Sequence, residues 1–145
     1  MNLLIRNFLF ILHGILNLST MSKTKYQSVL ELGEKLQIQD GNVKEENGQL
    51  QVWGTAQTPY EKDLLWDEIK RIGGDNPTDI MADIKVADDS VYHRHTVKSG
   101  ESLSKIAKHY YGDLMKYKAI FEANTDILKN PDVIHPGQEL VIPNL

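Results

Sequence analysis

The chain contains no cysteine among its 145 residues, so disulfides, thiolate zinc sites and cysteine nucleophiles are all excluded. Basic charge is not in excess either: 16 Lys+Arg stand against 20 Asp+Glu, and a net charge of -4 argues against a general nucleic-acid-binding face. No run reaches the roughly 18 apolar residues that a membrane-spanning helix requires. Aromatic residues make up only 8% of the chain and prolines number five. Catalytic constellations are missing as well. There is no nucleophile elbow with Ser/His/Asp partners and no phosphate-binding glycine loop, while the acidic pairs Glu45-Glu46 and Asp67-Glu68 sit where solvated surface is the default. The expectation is a chain that is not an enzyme.

What is present is an ordinary globular composition, 41% hydrophobic and 25% charged, long enough for two small domains. Residues 1–20 hold Arg6 followed by the apolar run Phe8 to Leu18, interrupted by His13, Gly14 and Asn17. Three readings are open for them: a signal or anchor segment, a mis-called start ahead of Met21, or a packed helix. A start at Met21 implies a cytoplasmic protein, and a signal segment implies the periplasm or cell envelope.

Charge divides the remainder. Residues 21–90 carry 8 basic and 14 acidic residues, residues 91–145 carry 7 and 6. The polar stretch around Ala87 to Arg94 marks the junction, which gives a first domain over 21–87, a linker over 88–93 and a second domain over 94–145. In the first domain Val29, Leu32 and Leu36 recur at helical spacing and predict a helix over about 24–37. Strands near 42–46 and 49–54 flank Asn47-Gly48, a dipeptide suited to a tight hairpin turn. Thr58-Pro59 opens a helix whose stripe Leu64, Leu65, Ile69 and Ile72 ends at Gly73-Gly74. Ile80 to Val86 alternates as a last strand, so the order is α-β-β-α-β. Trp53 and Trp66 fall on a strand and a helix, as core or domain-interface residues.

In the second domain Thr96 and Val97 suggest a strand. Ser102 caps a helix with Leu103, Ile106, Ala107 and Tyr110 on one face. Gly112 stops it, Asp113 caps a second helix carrying Tyr117, Ile120, Phe121 and Asn124, and Pro136-Gly137 turns into the strand Leu140 to Ile142. The order is β-α-α-β, and the whole chain is of α+β class.

Three blocks of this second domain, HTVKSGESLSKIAKHYYGD, IFEAN and HPGQELVIP, resemble a LysM domain over about residues 94–143. That resemblance implies a βααβ fold and binding of N-acetylglucosamine-containing glycans, peptidoglycan or chitin, in a shallow groove between two loops. Carried onto this chain, one wall is Ser99, Gly100, Glu101, Ser102 and Leu103. The other is Asn124, Thr125, Asp126, Ile127 and Leu128, with Ile134 nearby. Local backbone demands compete for several of these: Ser102 as helix cap, Asn124 at a helix end, Leu103 as core. Glu101 and Asp126 are the stronger ligand candidates, and neither loop holds an aromatic stacking platform.

The segments GQLQVWGTAQTPYEKDLLWDEI and IMADIKV are similar to a BON domain, and the pair resembles the bacterial potassium-binding proteins of BON-LysM type. This implies a non-enzymatic protein whose ion ligand is potassium, held by backbone and side-chain oxygens, with no organic cofactor. The acidic first domain and Asp88-Asp89 supply a favourable field, and an ion bridging both domains would explain their pairing. A structural adaptor, as in contractile-tail assemblies, is a further alternative. His93, His95, His109 and His135 match no zinc spacing and are read as linker and surface residues.

Overall fold

The computed structural model describes residues 21–145, so the readings made for residues 1–20 lie outside the described residues. The chain falls into two compact units, the first ending at Asp88 and the second formed by Asp89–Leu145. Tyr92 and His93 therefore belong to the second unit rather than to the linker: the Tyr92 N–H donates to the Ile142 carbonyl at 2.8 Å and His93 already pairs with Ile142.

The first unit runs α1 (Met21–Lys25), α2 (Gln27–Lys35), β1 (Gln39–Glu46), β2 (Gln49–Ala56), α3 (Pro59–Gly73) and β3 (Ile80–Val86). The single helix expected over 24–37 is thus two, broken at Tyr26. The break has a tertiary cause. Tyr26 is fully buried, and its hydroxyl donates to Asp79 Oδ1 at 2.7 Å while Lys25 Nζ reaches Asp79 Oδ2 at 2.6 Å. A side chain on Gly73 would collide with that hydroxyl, so the glycine that closes α3 also makes room for Tyr26. Burial, followed by the bond to Asp79 and its charge, pushes the Tyr26 phenol up to about 12.

Asn47 and Gly48 both adopt positive φ, 53° and 74°, and set the antiparallel register Glu46↔Gln49 of β1 and β2. β2 then pairs in parallel with β3 through the α3 crossover, giving the sheet order β1-β2-β3. Alternation along β2 places Leu50, Val52 and Ala56 on the buried face, where Leu65 and Ile69 of α3 and Val29 and Leu30 of α2 join the same core. Trp53 has the opposite parity. It is half-buried beside Asn42 and Asp83 in the cross-strand register and is not part of this core, which corrects the core reading; Trp66 does pack against it. Across the two helices, Glu68 accepts from Ser28 Oγ at 2.6 Å and from Arg71. Arg71 first and Ser28 second hold its carboxyl down at about 2.

The second unit is β4 (His93–Thr96), α4 (Leu103–Tyr111), a 3-10 turn (Leu114–Lys116), α5 (Tyr117–Glu122) and β5 (Glu139–Ile142), the βααβ order read from the sequence. Ser102 Oγ accepts from the Lys105 N–H and Asp113 from the Met115 N–H, as their cap positions require. Val97, Leu103, Ile106, Ala107, Ile120, Leu128, Leu140 and Ile142 form the core, roofed by tyrosines including Tyr92 and Tyr110.

One polar side chain lies within that core. Asn124 is 2% exposed, yet all of its hydrogen-bonding groups are engaged. Its Nδ2 donates to the carbonyls of Ile120 at 2.7 Å and Val141 at 2.8 Å, and its Oδ1 accepts from the Val141 N–H at 2.9 Å. The amide thus occupies the edge of β5 as a neighbouring strand would, and fastens the end of α5 to it.

Replacing Asn124 by Ala leaves both polar groups of Val141 unmatched at a half-buried strand edge, so a loss of about 3 kcal/mol is expected. Asn124→Asp should cost more, because a carboxylate cannot donate to the two carbonyls. Circular-dichroism melts of the three proteins check the order; equal melting of Asn124→Asp and wild type would contradict it.

Candidate functional site

The two loops expected to bear ligand both grow out of the second core. Leu103 at the end of the first and Leu128 at the end of the second are each 2% exposed and share one hydrophobic cluster. Burial withdraws them from any ligand, and withdraws the fully bonded Asn124 in the same way. Ile134 is half-buried against the same cluster. The residues left facing solvent are Ser99, Gly100 and Ser102 of the first loop and Thr125, Asp126 and Ile127 of the second.

Gly100 sits at φ 84°, a conformation that favours glycine, although space around it is open; the turn, rather than close approach of a ligand, requires it here. Lys105 Nζ donates to the Gly100 carbonyl at 3.1 Å and stiffens the loop tip. Behind the second loop the Asn124 carbonyl accepts from the N–H groups of Ile127 and Leu128 at 3.1 and 2.8 Å. Ser99, Thr125 and Asp126 thereby stand on anchored backbone. Hydroxyl and carboxylate groups beside an exposed apolar side chain, Ile127, offer donors, acceptors and an apolar contact, the chemistry that an N-acetyl sugar needs.

Glu101 departs from its expected role. Its Oε2 accepts from the Lys98 N–H at 2.9 Å and from His95 Nε2 at 2.7 Å, so it is a loop-closing residue before it is a ligand. Burial pushes its carboxyl up, but the bonds from His95 and Lys98 and their charges outweigh this and set it below the usual carboxylate range. His95 Nδ1 in turn lies 2.9 Å from the Tyr110 hydroxyl. Sequence reasoning missed this chain by assigning His95 to linker and surface. The signal was there in the two-residue spacing of His93 and His95, which puts both rings on one face of β4, over Tyr110, at centroid distances of 5.5 and 5.6 Å. His109 touches the same ring at 4.8 Å.

Among the described residues no three histidine or carboxylate side chains converge as a metal site would require. The first unit holds an apolar cleft lined by Val29, Leu30, Gly33, Ile38 and Trp53 among others. No helix of the described residues is long and apolar enough to cross a membrane.

His93 makes stability pH-dependent with a definite sign. Burial first, then the charges of His95 and His109, lower the pKa of His93 from the ordinary 6.5. Protons therefore bind the unfolded chain more readily, and stability falls as pH drops through that ordinary value, the loss being complete below the folded one. Glu101, shifted down, adds stability above the usual carboxylate range that disappears only in stronger acid. The His93→Gln variant should flatten the first of these two declines and leave the second in place, as read by melting temperature against pH; an unchanged first decline would exclude His93 as its source.

Comparison with known proteins agrees with this architecture. The LysM domain family matches residues 95–143, the βααβ unit just described. A protein of Deinococcus radiodurans is 60% identical over 55 residues, which are 38% of this chain and 20% of that protein, so the chain spans only a fifth of that relative's length. An esterase of Mycobacterium tuberculosis is 40% identical over 50 residues, 34% of this chain and 10% of the esterase. The potassium binding protein Kbp of Escherichia coli is 37% identical over 103 residues, which cover 70% of this chain and 68% of Kbp. A match of that length exceeds either unit alone, and by it the chain belongs to the family of the potassium binding protein Kbp, with a LysM domain as its second unit.

Proposed function

We propose that this protein is a non-enzymatic binding protein whose ion ligand is potassium. The observation that supports this reading is the extent of the similarity to Kbp, which runs through 70% of the chain instead of stopping at the LysM domain. The acidic balance of residues 21–90 favours a cation over an anion as ligand. Potassium asks for a cage of oxygens rather than for nitrogen or sulfur ligands, in keeping with a chain that has no cysteine. An ion bound only by the folded protein raises stability by mass action, by about 3 kcal/mol at a hundredfold excess over Kd. Potassium should then raise the melting temperature of the full chain by several degrees more than sodium at equal ionic strength. Equal shifts with the two salts would refute the reading.

A second reading, binding of N-acetylglucosamine-containing glycan such as peptidoglycan, is favoured by the solvent-facing groups Ser99, Thr125, Asp126 and Ile127, none of which caps a helix or fills the core. The absence of an aromatic among them points to weak binding of short sugars and useful binding only of polymeric ones. Asp126→Ala combined with Ser99→Ala should reduce retention on insoluble peptidoglycan about fivefold while helix content stays constant. Undiminished retention would remove both residues from the site. The two readings place the protein differently, potassium in the cytoplasm and peptidoglycan in the cell envelope, so the cell fraction that contains it separates them.

A further inference from the structure

His95 is the point at which the loop Lys98–Ser102, the helix α4 and the strand β4 meet. A carboxylate can only accept hydrogen bonds, so the Nε2 that lies 2.7 Å from Glu101 carries the hydrogen. In the neutral ring Nδ1 is then an acceptor, and the Tyr110 hydroxyl at 2.9 Å supplies its donor. The neutral imidazole is fully matched in one tautomer. When it takes up a proton, Nδ1 turns donor toward the Tyr110 oxygen, and the contact to Glu101 becomes an ion pair with a charge-assisted hydrogen bond. Both protonation states are compatible with the fold, and they differ in how firmly they hold Glu101.

Glu101 passes that difference on. Its Oε2 also receives the Lys98 N–H, so the carboxylate is the staple across the base of the loop that carries Ser99 and Gly100. The charged neighbours that face His95 set the balance. From the loop they are Glu101 itself and Lys98, whose charge acts on Glu101. From α4 they are Tyr110, His109 and Lys105, the last bonded to the Gly100 carbonyl. From β4 it is His93, with Arg94 exposed on the opposite face. The residue opposite on β5 is the apolar Leu140, with Glu139 exposed beside it. Among the described residues Glu101 is the carboxylate in direct contact with the ring.

We propose that His95 is a positioning residue for the loop Lys98–Ser102: on taking up a proton it grips Glu101 as an ion pair, tightens the loop, and so makes ligand binding on that loop depend on the charge of one imidazole. The binding part of this proposal rests on the glycan reading; the loop part does not. A stiffer loop has less conformational freedom to lose on binding, so acidification strengthens the hold on polymeric glycan.

The test follows the Lys98 amide proton of the labelled full chain by NMR from about pH 8 to about pH 5.5, the range in which histidine charge changes. Wild type and His93→Gln should show one titration there, while His95→Gln and Glu101→Gln should be flat. In parallel, retention on insoluble peptidoglycan should rise about three- to fivefold over the same range in wild type and stay level in His95→Gln. A flat Lys98 signal in wild type, or a persisting titration in His95→Gln or Glu101→Gln, overturns the positioning role. Retention that ignores pH while Lys98 titrates overturns its effect on binding. If wild type is not retained at any pH, the glycan reading fails, and the Lys98 titration alone decides whether His95 holds the loop. Should His95→Gln fail to fold, Glu101→Gln carries the same comparison.

Discussion

The second unit depends on three hydrogen bonds made by one amide. With only two strands and two short helices it has few ways to join its layers, and Asn124 joins them by completing the edge of β5 with the functional groups of a peptide. Hydrophobic contact could press α5 onto the sheet in many rotational settings; the two directional bonds to Val141 select one, and the bond back to Ile120 fixes the amide that makes them. From that choice follows the position of the loop after α5, since the carbonyl of the same residue receives Ile127 and Leu128. Core, register and loop are settled at one residue, which is why a polar group is kept where an apolar one would be the ordinary choice.

The first unit solves the same problem with separate devices. Tyr26 and Lys25 converge on Asp79, and Ser28 and Arg71 on Glu68, so the first helices are tied once to the start of β3 and once to α3. Each tie crosses between elements that are neighbours in space but some forty or more residues apart in the chain, apart from the local Arg71 contact. The carboxylates act here as hydrogen-bond hubs. Their charges are partly spent inside the unit, which leaves the remaining acidic residues to shape its outward field.

These contrasts account for what could be read in advance. Turns and helix ends were legible because their causes are local: Asn47-Gly48 carries its own backbone preference, Pro59 opens a helix where no amide is needed, Ser102 accepts from a free amide three residues on, and Gly74 and Gly112 stop their helices at positive φ. The order of elements in both units followed from them. The break at Tyr26 was not legible, because its cause is Asp79, 53 residues away. Trp53 was misplaced for a related reason: alternation assigns it to a face but does not say which face helices cover. In the candidate site, burial of Leu103 and Asn124 was foreshadowed by helical spacing, whereas burial of Leu128, which lies beyond the helix, and the bond of Glu101 to His95, which the turn after β4 creates, were not.

The first and last strands of the second unit are each other's partners, with His93 opposite Ile142 and Thr96 opposite Glu139. The chain therefore comes into this fold and leaves it at neighbouring points, like the two legs of a staple. A fold of that kind asks nothing of the polypeptide to which it is attached except two close attachment points, and it can be spliced between other segments, or set at the end of them, without reopening its own sheet. The unit is closed by the bond from Asn144 to the Asp89 carbonyl at 3.0 Å, which brings residue 144 back to residue 89.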